Sequence, residues 1–190
     1  MRSISIILFL VFSLVLPVSA QQKTILGNGS ESGIFVRPST KFTLVKGEIG
    51  LIIGCRVAVI ANKTFSFGLS SYALVNETCA PYKYPYNKSW TGRMYYGGFE
   101  LGYITKANEA IHLNYYLLIG GGVESIKKDN FFIIEPLACF ETNITEFFRI
   151  EIGAGFNLIS SLEHSKYTEN DYFSGPTVSI SFKFGSFKKA

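Results

Sequence analysis

The chain has 190 residues, of which 47% are apolar, 15% aromatic and only 17% charged, with a formal net charge of +4. That length suits one domain, and so mild a charge argues against a nucleic-acid partner. Three cysteines, Cys55, Cys79 and Cys139, are too few and odd in number for a disulfide framework, and they read as unpaired.

The chain opens with Arg2, an apolar run from Ile6 to Leu16, then Pro17-Val18-Ser19-Ala20. This is the pattern of a secretory signal peptide over residues 1–20, cleaved before Gln21. A membrane-spanning helix would need a longer run. Residues 21–32 form a polar lead-in, and a barrel domain is expected over residues 33–187, with 188–190 as a short basic tail.

From there the apolar residues recur with a period of two, the mark of strands with unlike faces. Phe35 to Val45 sets Val36, Thr40, Phe42 and Leu44 against Arg37, Ser39, Lys41 and Thr43. Ile49 to Asn76 is a hairpin turned at Ala61–Thr64. Its odd positions, Ile49 through Val59 and then Phe65, Phe67 and Leu69, oppose mainly small residues and Arg56. Met94 to Thr105 places Tyr95, Phe99, Leu101 and Tyr103 against Tyr96, Gly98, Glu100 and Gly102. The next strand sets Ile111, Leu113, Tyr115, Leu117 and Ile119 against His112, Asn114, Tyr116, Gly120 and Gly122.

Phe131 to Glu141 opposes Phe132, Ile134, Ala138 and Phe140 to Glu135, Leu137 and Glu141. Pro136 cannot donate to a ladder, so a bulge is expected there. Phe148 to Leu158 alternates without a break, with Arg149 and Glu151 on its small-polar face. Pro176 to Phe184 closes the series with Val178, Ile180, Phe182 and Phe184 against Thr177, Ser179, Ser181 and Lys183.

The count is eight strands. Three connectors, Ala61–Thr64, Lys106–Glu109 and Thr142–Thr145, are four residues long. Those between them include two long ones, Glu77–Gly92 and Ser161–Ser174. Short turns at one end and longer loops at the other is the layout of a bacterial outer-membrane barrel, with the short turns periplasmic.

The signal peptide, the eight alternating strands, the connector pattern and the final strand S-I-S-F-K-F-G-S-F resemble small OmpA/OmpX-type outer-membrane β-barrels. The resemblance covers essentially the whole mature chain. It implies an all-β, eight-stranded antiparallel up-and-down transmembrane barrel in the outer membrane, without a cofactor. The implied partners are outer-membrane lipids and lipopolysaccharide, the barrel assembly machinery and an extracellular protein or glycan, with a monomer as the expected state. One departure is visible: the last residue of this class is usually aromatic, whereas Phe187 here precedes Lys188-Lys189-Ala190.

The small-polar faces carry both signs of charge, as a narrow interior requires if its charges are to pair. The expected lumen network is Arg37, Lys41, Arg56, Glu100, Glu135, Arg149, Glu151 and Lys183. Removing Arg149 is expected to cost about 3–5 kcal/mol if the site is dry, and Gly153→Ser to cost little unless the interior is tight. Phe65, Tyr103, Phe140, Phe148 and Phe184 fall on the apolar faces near the short turns, where an interfacial girdle belongs. The rival architecture is a soluble lipocalin-like barrel with its apolar face inward around a ligand.

Catalytic chemistry has little support. His112 and His164 fall at opposite ends, no His or Cys pair has metal-ligand spacing, and Gly120–Gly122 precedes no helix. Glu163, His164 and Asp171 in the last outer loop are the candidates for an enzyme acting on lipid or peptide, and a passive channel is a further alternative. Five N-x-S/T sequons read as turn asparagines. The segment 77–92 carries Tyr82, Tyr84, Tyr86, Lys88 and Trp90, either a contact surface or aromatics anchoring the rim at the headgroups.

Overall fold

Strands that alternate an apolar with a small-polar face can segregate the two by closing on themselves. The computed structural model describes residues 33–45, 48–75, 78–79, 91–92, 94–124, 130–161 and 174–187. The proposed signal peptide, lead-in and basic tail lie outside the described residues, as do the aromatic contact set from Tyr82 to Trp90 and the enzyme candidates Glu163, His164 and Asp171. The strands are β1 (Gly33–Val45), β2 (Glu48–Ala61), β3 (Phe65–Leu74), β4 (Thr78–Cys79), β5 (Thr91–Gly92), β6 (Met94–Ile104), β7 (Ile111–Glu124), β8 (Asn130–Asn143), β9 (Phe148–Ser161) and β10 (Gly175–Gly185).

Eight of them form a closed antiparallel barrel in the order β1-β10-β9-β8-β7-β6-β3-β2. β4 and β5, which the sequence pattern did not suggest, pair separately within the long connection after β3, Thr78 against Gly92 and Cys79 against Thr91. The β2–β3 turn shows why asparagine stands in it. Asn62 and Lys63 have φ of 53° and 55°, the paired left-handed conformation of the tight hairpin turn that matches strand twist.

The register fixes the barrel's width. From Gly33, successive partners are Ile60, Ser66, Gly102, Tyr116, Leu137, Gly155, Thr177 and then Thr43 of β1. The walk returns ten residues from its start, 33 to 43. Over eight strands that stagger tilts them by about 40° and leaves an interior only wide enough for side chains.

The two faces are sharply unlike. Arg37, Lys41, Arg56, Glu100, Glu135, Glu141, Arg149, Glu151 and Lys183 are buried, while Phe99 is 70% exposed and Ile152 56%. Cys55 and Cys139 are both free, the first facing out and the second buried inside. Apolar residues pack together inside the barrel near each end. Ile52, Tyr72, Leu74, Met94, Tyr96, Leu118, Phe131 and Ile133 pack together toward the long connectors. Phe35, Ala58, Ile60 and Ile104, with Ala107 and Phe187 against them, pack beside the short turns.

The expected bulge at Pro136 is not present. β8 pairs Ile134 with Leu158 and, past the proline, Leu137 with Gly155 in unchanged register. On its other side Pro136 pairs with Leu117. A residue in an antiparallel sheet directs its N–H to one neighbour only, so the missing donor opens a short gap on one side and leaves the pleat intact. Pro38 does the same in β1: it pairs with Cys55, while the β1–β10 ladder skips from Val36–Phe184 to Ser39–Ser181.

Gly153 meets the exception allowed for a tight interior. A Cβ there would lie 2.6 Å from the Ala138 carbonyl oxygen and closer still to Cys139 Sγ. Gly153→Ser is therefore predicted to destabilise the folded barrel by about 1–3 kcal/mol, an overpacking cost. Ala154→Ser, one residue along and facing outward, should shift the urea midpoint far less. Equal midpoints for the two variants would contradict this packing.

Candidate functional site

The interior is the one place where the described chain concentrates chemistry. Alternation delivers long charged side chains there from six strands: Arg37 and Lys41 from β1, Arg56 from β2, Glu100 from β6, Glu135 and Glu141 from β8, Arg149 and Glu151 from β9, and Lys183 from β10. Register sets like charges side by side. Arg37 pairs with Arg56, Arg149 with Lys183, and Glu141 with Glu151. Such neighbours repel, so each must find its counter-charge diagonally on the next strand or across the lumen.

They do so through shared carboxylates. Arg37 donates to Glu151 at 3.1 Å and through its other terminal nitrogen to Glu100. Arg56 donates to the Glu100 backbone carbonyl at 2.8 Å and to Ser66 Oγ at 3.0 Å, with its Nη1 3.4 Å from the Glu100 carboxylate. Lys183 Nζ reaches Glu141, and lies 2.7 Å from Glu151. Arg149 donates to Glu141 at 2.6 Å. Asn114 Nδ2 also donates to Glu141 at 2.6 Å and to Glu151 at 3.0 Å. His112 Nε2 sits 3.1 Å from Glu141, within ion-pair distance but not aligned as a hydrogen bond.

A smaller group lies toward the long connectors. Lys41 Nζ bonds both Glu135 oxygens at 2.7 and 2.8 Å and sits 3.4 Å from the centre of the Tyr72 ring. Tyr72 stacks on Tyr96 at 5.2 Å and donates through its hydroxyl to Glu100 at 3.2 Å. Tyr116 donates to Glu151, and its ring lies 4.3 Å from the Arg37 guanidinium carbon. Tyrosines thus link the two groups and supply ring faces to desolvated cations.

All eight residues of the expected lumen set lie on the inner face. Glu141 stood on the same strand face as Glu135 but outside that set, although Arg149, Lys183, His112 and Asn114 all converge on it. His112 looked like a residue beside a turn and is 4% exposed. Tyr72, Tyr96 and Tyr116 were legible only as polar-face positions by their parity. Among the described residues, no group of three His, Cys, Asp or Glu could hold a metal ion.

No family model matches the sequence, and no curated protein matches it either. Solved structures do resemble it. The crystal structure of Neisserial surface protein A aligns with a TM-score of 0.53 at 9% identity, over 85% of this chain and 100% of that one. Ail, the attachment invasion locus protein of Yersinia pestis, gives a TM-score of 0.46 at 14% identity over 83% of this chain and 99% of that one. Its complex with the heparin analogue sucrose octasulfate gives 0.46 at 16%, with the same coverage. The Neisserial likeness is one of fold: a closed eight-stranded barrel.

The shared carboxylates rank the expected effects of substitution. Glu141→Ala takes away the carboxylate that pairs Arg149 and one of the two that hold Lys183, leaving Lys183 with Glu151, and should cost about 3–5 kcal/mol. Arg149→Ala leaves Glu141 still held by Lys183 and Asn114, and Arg149 itself is 9% exposed. Its loss should be nearer 1–2 kcal/mol, below the sequence-based expectation. Denaturant midpoints of the two variants check the order, and a larger loss from Arg149→Ala would refute the central place given to Glu141.

Proposed function

We propose that this chain is an outer-membrane β-barrel with a closed lumen, acting in surface interaction or envelope integrity through its outer connections. The observation that carries the reading is the inverted distribution of polarity. Charges fill the inside, while Phe42, Ile53, Val57, Leu69, Phe99, Ile119, Ile152, Phe156, Leu158 and Ile180 are exposed around the outside. Water would not tolerate so continuous an apolar surface on a monomer, whereas hydrocarbon requires it. A lipocalin-like barrel needs the reverse arrangement.

Near the short turns Phe65 meets Tyr103 in a tilted pair at 5.5 Å, and Phe148 stacks with Phe184 at 4.9 Å. These pairs, with exposed Phe140 and Phe147, fit an interfacial aromatic girdle at the periplasmic side. Residues 1–20 would then act as the export signal, and outer-membrane lipids and lipopolysaccharide would surround the wall. The connection carrying Tyr82, Tyr84, Tyr86, Lys88 and Trp90 would face outward toward an extracellular protein or glycan. The fold-level likeness to a Neisserial surface protein is in keeping with this reading.

Two measurements test it. Epitope tags at Lys88 and Ser165 should be reached on intact cells and a tag at Lys63 should not; access to Lys63 alone would reverse the orientation. Ile152→Arg should cost about 2–4 kcal/mol for the barrel folded in a bilayer if the site lies near the midplane. Full tolerance of that arginine would count against membrane residence.

A further inference from the structure

The two ends of the lumen are closed by different means. Toward the long connectors, the packed group from Ile52 to Ile133 belongs wholly to barrel strands. At the short-turn end, Phe35, Ala58, Ile60 and Ile104 come from strands, but Phe187 does not. It lies two residues past β10, on the inward parity of Thr177, Ser179, Ser181 and Lys183. Gly185 N donates to Phe147 O at 2.9 Å and Ser186 N to Ile34 O at 3.0 Å, which steers the next side chain inward. Gly33 makes this possible: a Cβ there would overlap the Ser186 carbonyl oxygen.

The ring of Phe187 lies 6.3 Å from that of Phe35 and 3.8 Å from the Arg149 guanidinium carbon. Directly behind, the Phe35 ring is 5.3 Å from the Arg56 guanidinium carbon and 4.8 Å from Lys183 Nζ. The two rings therefore stand between the mouth and three buried cations, offering them π faces while excluding water. Among the described residues, only this closure draws on a segment past the last strand, held by two backbone bonds.

From this we infer that Phe187 is a stopper in the short-turn mouth of the lumen, and that displacing it admits water and small solutes to the cationic base. The aromatic residue near the C-terminus thus acts on the interior rather than on the lipid face. The inference concerns access at one end and rests on the closed-lumen reading for what lies beyond.

The test uses the full-length folded protein with Cys55→Ala and Cys79→Ala, so that native Cys139 is the deep reporter. Ile60→Cys, at a base position 6% exposed, is added as the shallow one. A charged methanethiosulfonate reagent reads accessibility, and heat-modifiable gel mobility verifies folding. With Phe187 present, the thiol at position 60 should react slowly. Phe187→Ala should speed it by about tenfold or more, as expected when local opening controls access, and Phe187→Leu should restore most of the protection.

Equal rates with and without Phe187, whether both slow or both fast, would overturn the stopper. Rapid labelling of Cys139 in the protein that retains Phe187 would overturn it too, and with it the closed lumen. Slow labelling of Cys139 beside equal rates at position 60 would sink the stopper alone.

Discussion

Closure of eight strands at a stagger of ten residues is the constraint from which the rest follows. It makes the interior narrow, so every inward side chain meets others from across the barrel as well as its neighbours along the sheet. Large residues on one wall demand small ones beside them. Gly102 illustrates this, since a Cβ there would lie 2.8 Å from the Tyr116 ring and nearer still to Ser66 Oγ. Gly54, Gly102, Gly122 and Gly155 on the inner faces are room made for tyrosine, phenylalanine and leucine, not loose points in the strands.

The same constraint explains the interior's chemistry. For a wall that faces hydrocarbon, burying apolar side chains between strands gains little, because lipid tails are as apolar as leucine. Cohesion then rests on the continuous backbone ladder and on what fills the lumen. Here that filling is a set of cations and carboxylates whose like-charged members sit side by side along the sheet. Arg37 of β1 can reach Glu100 of β6 and Glu151 of β9 together only once the barrel is closed, whereas the pairs of Arg149 and Lys183 with Glu141 and Glu151 join the neighbouring strands β8, β9 and β10. The ion pairs of a half-closed sheet would be incomplete, so closure completes the network.

Much of this is legible in the sequence because a period of two assigns every residue to a face. Parity alone is enough to put the eight charges from Arg37 to Lys183 on the inner side. Cross-barrel partners are not legible, because they depend on the stagger, which no single strand reveals. Glu141 becomes a carboxylate shared by four side chains, as Glu151 is, only through the approach of other strands, and Gly153 becomes crowded only through Ala138 and Cys139 on the neighbouring strand. Pro136 misleads for a local reason: a proline costs one donor on one side, which a ladder can skip without a bulge. Phe187 shares the inward parity of Lys183, but its place against Phe35 and Arg149 depends on the backbone bonds to Ile34 and Phe147 that carry the alternation past the last strand.

The central claim is that paired charges and apolar ends close the lumen of a membrane-spanning barrel. Planar-bilayer recording of the purified, folded wild-type protein tests it most directly. The account predicts insertion without steady conductance, since a lumen filled by its own side chains would leave no continuous aqueous path. A stable, reproducible open conductance from the correctly folded barrel would contradict it and make the protein a channel.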